Sequence, residues 1–116
     1  MARAKLTPVA VGATGVVLPD DGDPAELVDG NSFTWAEGRR LYVQNDDTTD
    51  LDVTLETPGT VGTFGSPYPD ATVTVPAGKA WISKPLGLEF RRPADGAVWV
   101  DYTGADASVT VAVLDL

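Results

Sequence analysis

The chain has 116 residues, a formal net charge of −9, and neither cysteine nor histidine. Disulfides and metal sites built on Cys or His are therefore excluded. The charge argues against binding to nucleic acid or to an anionic membrane surface, both of which need clustered Lys and Arg. The length suits one domain with one modest core, and no apolar run approaches the roughly 20 residues of a membrane-spanning helix.

Two of the eight basic residues, Arg3 and Lys5, fall in the first five positions. Residues 20–70 hold twelve acids against Arg39 and Arg40, a net of 2 − 12 = −10. Residues 1–7 thus read as a short basic arm ahead of an acidic body at 8–116, and an arm of this kind reaches for a neighbour. The mildly apolar run that follows is interrupted by Pro8, Gly12, Thr14 and Gly15, which argues against a secretion signal.

From there the dominant period is two. Leu51, Val53 and Leu55 alternate with Asp52, Thr54 and Glu56; Val73 and Val75 alternate with Thr72 and Thr74; Val98, Val100 and Tyr102 alternate with Trp99 and Asp101. Alternation of this kind marks strands with one face in a core and one in water. In chain order it predicts strands over 8–18, 31–36, 39–45, 51–57, 71–76, 80–85, 87–91, 97–103 and 107–115. Turn chemistry separates them at Asp29-Gly30, Glu37-Gly38, Pro76-Ala77-Gly78, Asp95-Gly96 and Gly104-Ala105-Asp106. The best helical stretch, Pro24 to Val28, is one turn at most. Eight or nine short strands spaced near ten residues predict an all-β domain, a single antiparallel β-sandwich or jelly-roll-like barrel. Residues 29–46, DGNSFTWAEGRRLYVQND, read as a hairpin turned at Glu37-Gly38. In the last strand Val109, Val111 and Val113 share one parity while Leu114 and Leu116 take the other, so the strand either carries a bulge near Val113 or is buried on both faces. The stretch 58–70, PGTVGTFGSPYPD, is a long loop of interfacial character.

No catalytic residue is expected. Without His and Cys the usual bases and nucleophiles are few, and no G-x-S-x-G, P-loop or dinucleotide motif is present. The acidic runs Asp20, Asp21, Asp23, Glu26 and Asp46, Asp47, Asp50, Asp52 lack the EF-hand offsets and read as charged, solvated loops, with no metal or cofactor implied. What remains is partner chemistry. Trp81 shares the parity of Ser83, and Trp99 that of Asp101, which places both rings on wet faces that a second sheet or a neighbouring subunit covers. With Trp35, Tyr42, Tyr68 and Tyr102 they also make a sugar-binding platform conceivable. Arg91-Arg92 reads as solvated. Candidate partner-binding residues are Arg3, Lys5, Trp35, Arg39, Arg40, Trp81 and Trp99.

Three stretches carry a resemblance. DGNSFTWAEGRRLYVQND (29–46), TVTVPAGKAWISKPL (72–86) and DGAVWVDYTGADASVTVAVLDL (95–116) resemble, in order and spacing, segments of the small structural proteins encoded beside the head genes of tailed phages, especially those of actinobacteria. The resemblance implies a virion structural protein, specifically a capsid decoration or cement protein. Such a protein sits on the outer face of the shell, binds the major capsid protein and forms a homo-oligomer, a trimer by preference. The alternatives are another head–tail connector or tail component, or a non-viral sugar- or surface-binding sandwich.

Overall fold

The computed structural model describes residues 3–13, 15–18, 22–58, 60–61, 66–67, 70–93, 95–105 and 107–115. Among them lie β1 (Ala4–Lys5), β2 (Val9–Ala10), β3 (Asp23–Pro24), β4 (Asn31–Thr34), β5 (Arg39–Asn45), β6 (Leu51–Leu55), β7 (Thr60–Val61), β8 (Ser66–Pro67), β9 (Ala71–Val75), β10 (Ala80–Ile82), β11 (Ala97–Thr103) and β12 (Val109–Asp115). They form two mixed sheets. The first runs β1-β4-β11-β6-β9. The second runs β10-β5-β12-β2, with β3 also on β12, and β7 and β8 make a small separate ladder. The molecule is the expected all-β sandwich.

Parity explains the packing. Phe33 of β4, Leu41 and Val43 of β5, Leu51 and Val53 of β6, Val98 and Val100 of β11, and Val111 and Val113 of β12 are all fully buried. Each strand carries one such stripe, and the stripes of the two sheets meet between them. Each buried Val, Leu or Phe contributes about 1.5–3 kcal/mol of transfer free energy.

The connections differ from the expected hairpins. β4 and β5 lie in different sheets, as do β5 and β6, β9 and β10, and β11 and β12. Glu37-Gly38 is therefore a corner between sheets, where Arg39 N–H bonds the Ala36 carbonyl at 3.3 Å. A hairpin would put the stripes of β4 and β5 side by side in one sheet. The corner sets them face to face.

Other boundaries also move. Of 8–18 only Val9–Ala10 is strand, pairing parallel with β12. The stretch 87–91 is a 3₁₀ turn at Leu88–Phe90, because Phe90 and Arg91 N–H bond the carbonyls of Gly87 and Leu88. Asp23–Pro24, read as a helix start, instead lies along Thr110 and Val111 of β12. The residues read as an arm belong to the body from Arg3 on. β1 pairs parallel with Asn31 and Ser32 of β4, and Leu6 is 4% exposed in the core. In β12 the register with β5 runs unbroken from Val109↔Asn45 to Asp115↔Arg39. There is no bulge, and Ala112 and Leu114 are buried on the face opposite Val111 and Val113. Leu116, Tyr68 and most of the 58–70 stretch lie outside the described residues.

Two buried asparagines fix this frame. Asn31 Nδ2 donates to the Ala4 carbonyl at 3.1 Å, while its Oδ1 accepts from the Tyr102 hydroxyl at 2.7 Å and from Glu26 N–H at 3.0 Å. Burial raises the Tyr102 phenol beyond any ordinary titration. Asn45, at the end of β5, donates to the carbonyls of Val75 in the opposite sheet (3.0 Å) and Thr49 (2.9 Å), and accepts from Asp47 N–H (3.1 Å). Replacing Asn45 with Ala strands the buried Val75 carbonyl and frees that of Thr49, and the variant should lose about 1–3 kcal/mol in urea unfolding. Asn45→Asp should be no milder, because it turns a carboxylate toward those carbonyls.

Candidate functional site

Trp99 points outward from the middle of β11, as its parity with Asp101 predicts. It is covered by this chain's own cations. The guanidinium carbons of Arg3 and Arg92 lie 4.2 and 3.5 Å from the ring centroid, within cation–π range. Two carboxylates hold those cations. Arg3 Nη2 is 2.9 Å from Glu56 Oε2, Arg3 Nη1 is 2.6 Å from Asp101 Oδ1, and Arg92 Nη1 is 3.5 Å from Glu56 Oε1. Arg3 Nη1 also donates to the Val100 carbonyl at 3.2 Å. The site depends on Gly30 (φ +81°). A Cβ there would overlap the Arg3 guanidinium and come within 2.7 Å of the Val100 carbonyl and 2.8 Å of Asp101 Oδ1. Any other residue would expel Arg3 as well as strain the backbone.

Glu56 and Asp101 face one another across Arg3. A hydrogen bond to Asp101, then partial burial and the Asp101 charge, push the Glu56 carboxyl up to about 7, against the opposing pull of Arg3 and Arg92. Partial burial alone would raise Asp101, but the Glu56 hydrogen bond and Arg3 outweigh it and hold Asp101 below its ordinary value. The pair therefore shares a proton below neutrality. Chemically this is a carboxyl pair already engaged with its own arginines, suited to pinning β1.

The second feature lies at one side of the sandwich, where β9 and β10 end their sheets. Along β9 the inward positions pass from buried Val75 through half-buried Val73 to exposed Ala71. The small Ala71 fills little of the inward face beside its register partner Leu55, which is itself buried. An apolar groove of about 310 Å³ opens there, with Leu55, Ala71, Trp81, Ile82, Leu86 and Phe90 among its lining residues. Trp81 faces inward, not outward. It pairs with buried Val43 and packs on the core, while its neighbours Ala80 and Ile82 are exposed. Ser83, taken as the sign of a wet face, is itself buried, its Oγ accepting from Leu41 N–H at 2.9 Å. Trp35 lies behind the groove, donating from Nε1 to the carbonyls of Leu86 and Gly87 at 3.0 and 3.1 Å.

The remaining candidates do not converge. Lys5 is exposed on β1. Arg39 donates to the Thr34 carbonyl at 2.5 Å and lies 3.6 Å from Asp115. Arg40 reaches the Ser83 carbonyl at 3.5 Å. Both arginines bury an Nε without a hydrogen-bond partner. The structure thus joins Arg3 to Trp99, and it sets Trp81 in the groove whose lining residues Leu86 and Gly87 accept from Trp35. It adds Glu56, Asp101 and Gly30, which the sequence did not single out as site residues, and Arg92, which read as solvated but is packed on the Trp99 ring and paired with Glu56. The one local signal for them was the shared parity of Trp99 and Asp101. The acids of the 46–52 stretch tie it to its neighbours: Asp47 accepts from Thr48 and Ala107 N–H, Asp50 from Ala77 N–H, and Asp52 from Thr74 Oγ1.

Searches of family models, curated proteins and solved structures return no match to this chain.

The sign of the pH dependence follows from the pair. Glu56 is raised from 4.5 to about 7, so its contribution is complete below pH 4.5 and is lost as pH rises through 7. Asp101 is lowered from 3.8, so its contribution is present above that pH and lost only in stronger acid. Wild-type stability should therefore fall between about pH 4.5 and 7 relative to a Glu56→Gln variant, which keeps a neutral donor at that position. Urea midpoints across this range read the difference, and parallel curves would exclude a shared proton. Arg3→Ala should cost about 1–2 kcal/mol by the same measurement, through lost ion pairs and ring contact.

Proposed function

We propose that this chain is a virion structural protein that decorates the outer face of a tailed-phage capsid by binding the major capsid protein. One observation carries the reading. The three stretches that resemble small head-gene-cluster proteins are β4 with β5, β9 with β10, and β11 with β12. These are three of the strand pairs whose corners join the two sheets. The likeness thus follows the scaffold of the sandwich and not an isolated loop. A rigid knob of this kind suits bridging subunits of a shell, which needs surface complementarity and no reaction. A homo-oligomer about a capsid symmetry axis, a trimer by preference, belongs to the same reading. Attachment by the first residues does not: with Arg3 and Leu6 engaged in the body, the contact surface falls to exposed parts of the sandwich.

A sugar-binding platform has less support. Trp99 lies under two guanidinium groups and Trp35 is bonded to main-chain carbonyls, so only Trp81 adjoins an open groove.

Cryo-electron microscopy of the parent particle tests the proposal. Density for this sandwich should repeat over the outer shell. Density confined to the tail vertex would replace decoration with a connector or tail role. Purified protein should also rebind particles from which it has been stripped.

A further inference from the structure

We infer that the open edge of β9 takes an extended, basic segment of another protein chain as an added strand. The inference concerns the chemistry of the partner and does not rest on the capsid reading.

Main-chain geometry identifies the free groups. Glu56 N–H bonds the Trp99 carbonyl at 3.2 Å. In an antiparallel ladder successive residues direct their N–H and C=O to opposite sides. Leu51, Val53 and Leu55 therefore bond to β9, through their register partners Val75, Val73 and Ala71. Among the described residues no strand lies on the other side of β9, and Thr72 and Thr74 are left with N–H and C=O at that open edge.

The other edges are guarded. β1, β2 and β3 are two residues long, and short edges do not template pairing. β10 has three residues, is flanked by Lys79 and Lys84, and is stopped by Pro85. β9, Ala-Thr-Val-Thr-Val, is five residues with no charge, Pro or Gly. Natural edges of that kind are covered. Beside it lies the groove over Leu55 and Trp81, able to receive an apolar side chain from an added strand, which is how strand addition gains specificity.

Charge selects the occupant. From residue 41 to residue 78 the chain has no Lys or Arg and six acids: Asp46, Asp47, Asp50, Asp52, Glu56 and Asp70. Asp52 bonds Thr74 Oγ1 at 2.7 Å, and Asp70 bonds Thr57 N–H at 2.9 Å, which places acids along the strand and at its start. A second copy would bring another −9 to this edge. A segment alternating Lys or Arg with apolar residues meets the charge, the backbone and the groove together.

The test uses the intact protein and two synthetic peptides, one alternating Lys with Val and Ile, the other its Glu counterpart. Amide exchange followed by NMR reads the edge. The Lys peptide at millimolar concentration should slow exchange at Thr72 and Thr74 by about tenfold or more, and the Glu peptide should not. Thr72→Pro removes one outward N–H without touching the bonds to β6 and should abolish the effect. Thr72→Lys keeps the N–H and should weaken the Lys peptide specifically. Unchanged exchange with the Lys peptide overturns the inference, as does equal protection by both peptides. Protection of Thr72 and Thr74 that grows with protein concentration alone would assign the edge to a second copy and overturn it too.

Discussion

The structure rests on one constraint: every long strand except β12, which is buried on both faces, has a single apolar stripe, and that stripe must face another. A strand of alternating Val and Thr cannot bury both sides, so a lone sheet of such strands would leave half of its apolar side chains in water. The chain resolves this by changing sheets at nearly every turn. Phe33 faces inward from one sheet and Leu41 from the other, with only a short corner between them. The corner glycines, the buried asparagines and the order of strands all serve this opposition. Asn45 shows it most directly, since its side chain closes the gap between β5 and β9 where the chain has crossed.

The same constraint produces both surface features. The stripe of β9 thins from Val75 to Ala71, so the core is sealed at one end of the strand and open at the other. On the outer face of the first sheet, a large ring at Trp99 has no second layer above it. The protein supplies one from Arg3 and Arg92, and their charge is held by Glu56 and Asp101. An exposed tryptophan thus becomes the seat for the first strand of the fold, and Gly30 is the small residue that lets the seat form.

Much of the architecture was legible in the alternation. The strands at 31–36, 39–45, 51–57, 71–76, 80–85, 97–103 and 107–115 all have counterparts in the sandwich. Their connectivity was not legible, because a corner and a hairpin use the same Gly-containing turns and differ only in which distant strand lies alongside. Trp81 was misplaced for a related reason. A serine two residues away suggests a wet face, but Ser83 is buried and bonded to the Leu41 backbone. The Arg3 site was half visible, in the parity of Trp99 and Asp101. Its other half needed the register that brings Glu56 opposite Trp99 and the parallel pairing that lays Ala4 on Asn31.

The position of β12 bears on how the chain reaches this state. That strand is bonded to β5, β2 and β3, so three segments that precede it by 64 residues or more, from Val109 back to Asn45 and beyond, have no common partner until Val109–Asp115 arrives. Until then the stripes of the second sheet stay unmatched. Assembly through such distant pairings is slow relative to local folding and leaves strand edges open to wrong partners in the interval. The acids crowded into 46–52 lie between β5 and β6, so two copies brought edge to edge there in the interval would meet like charge.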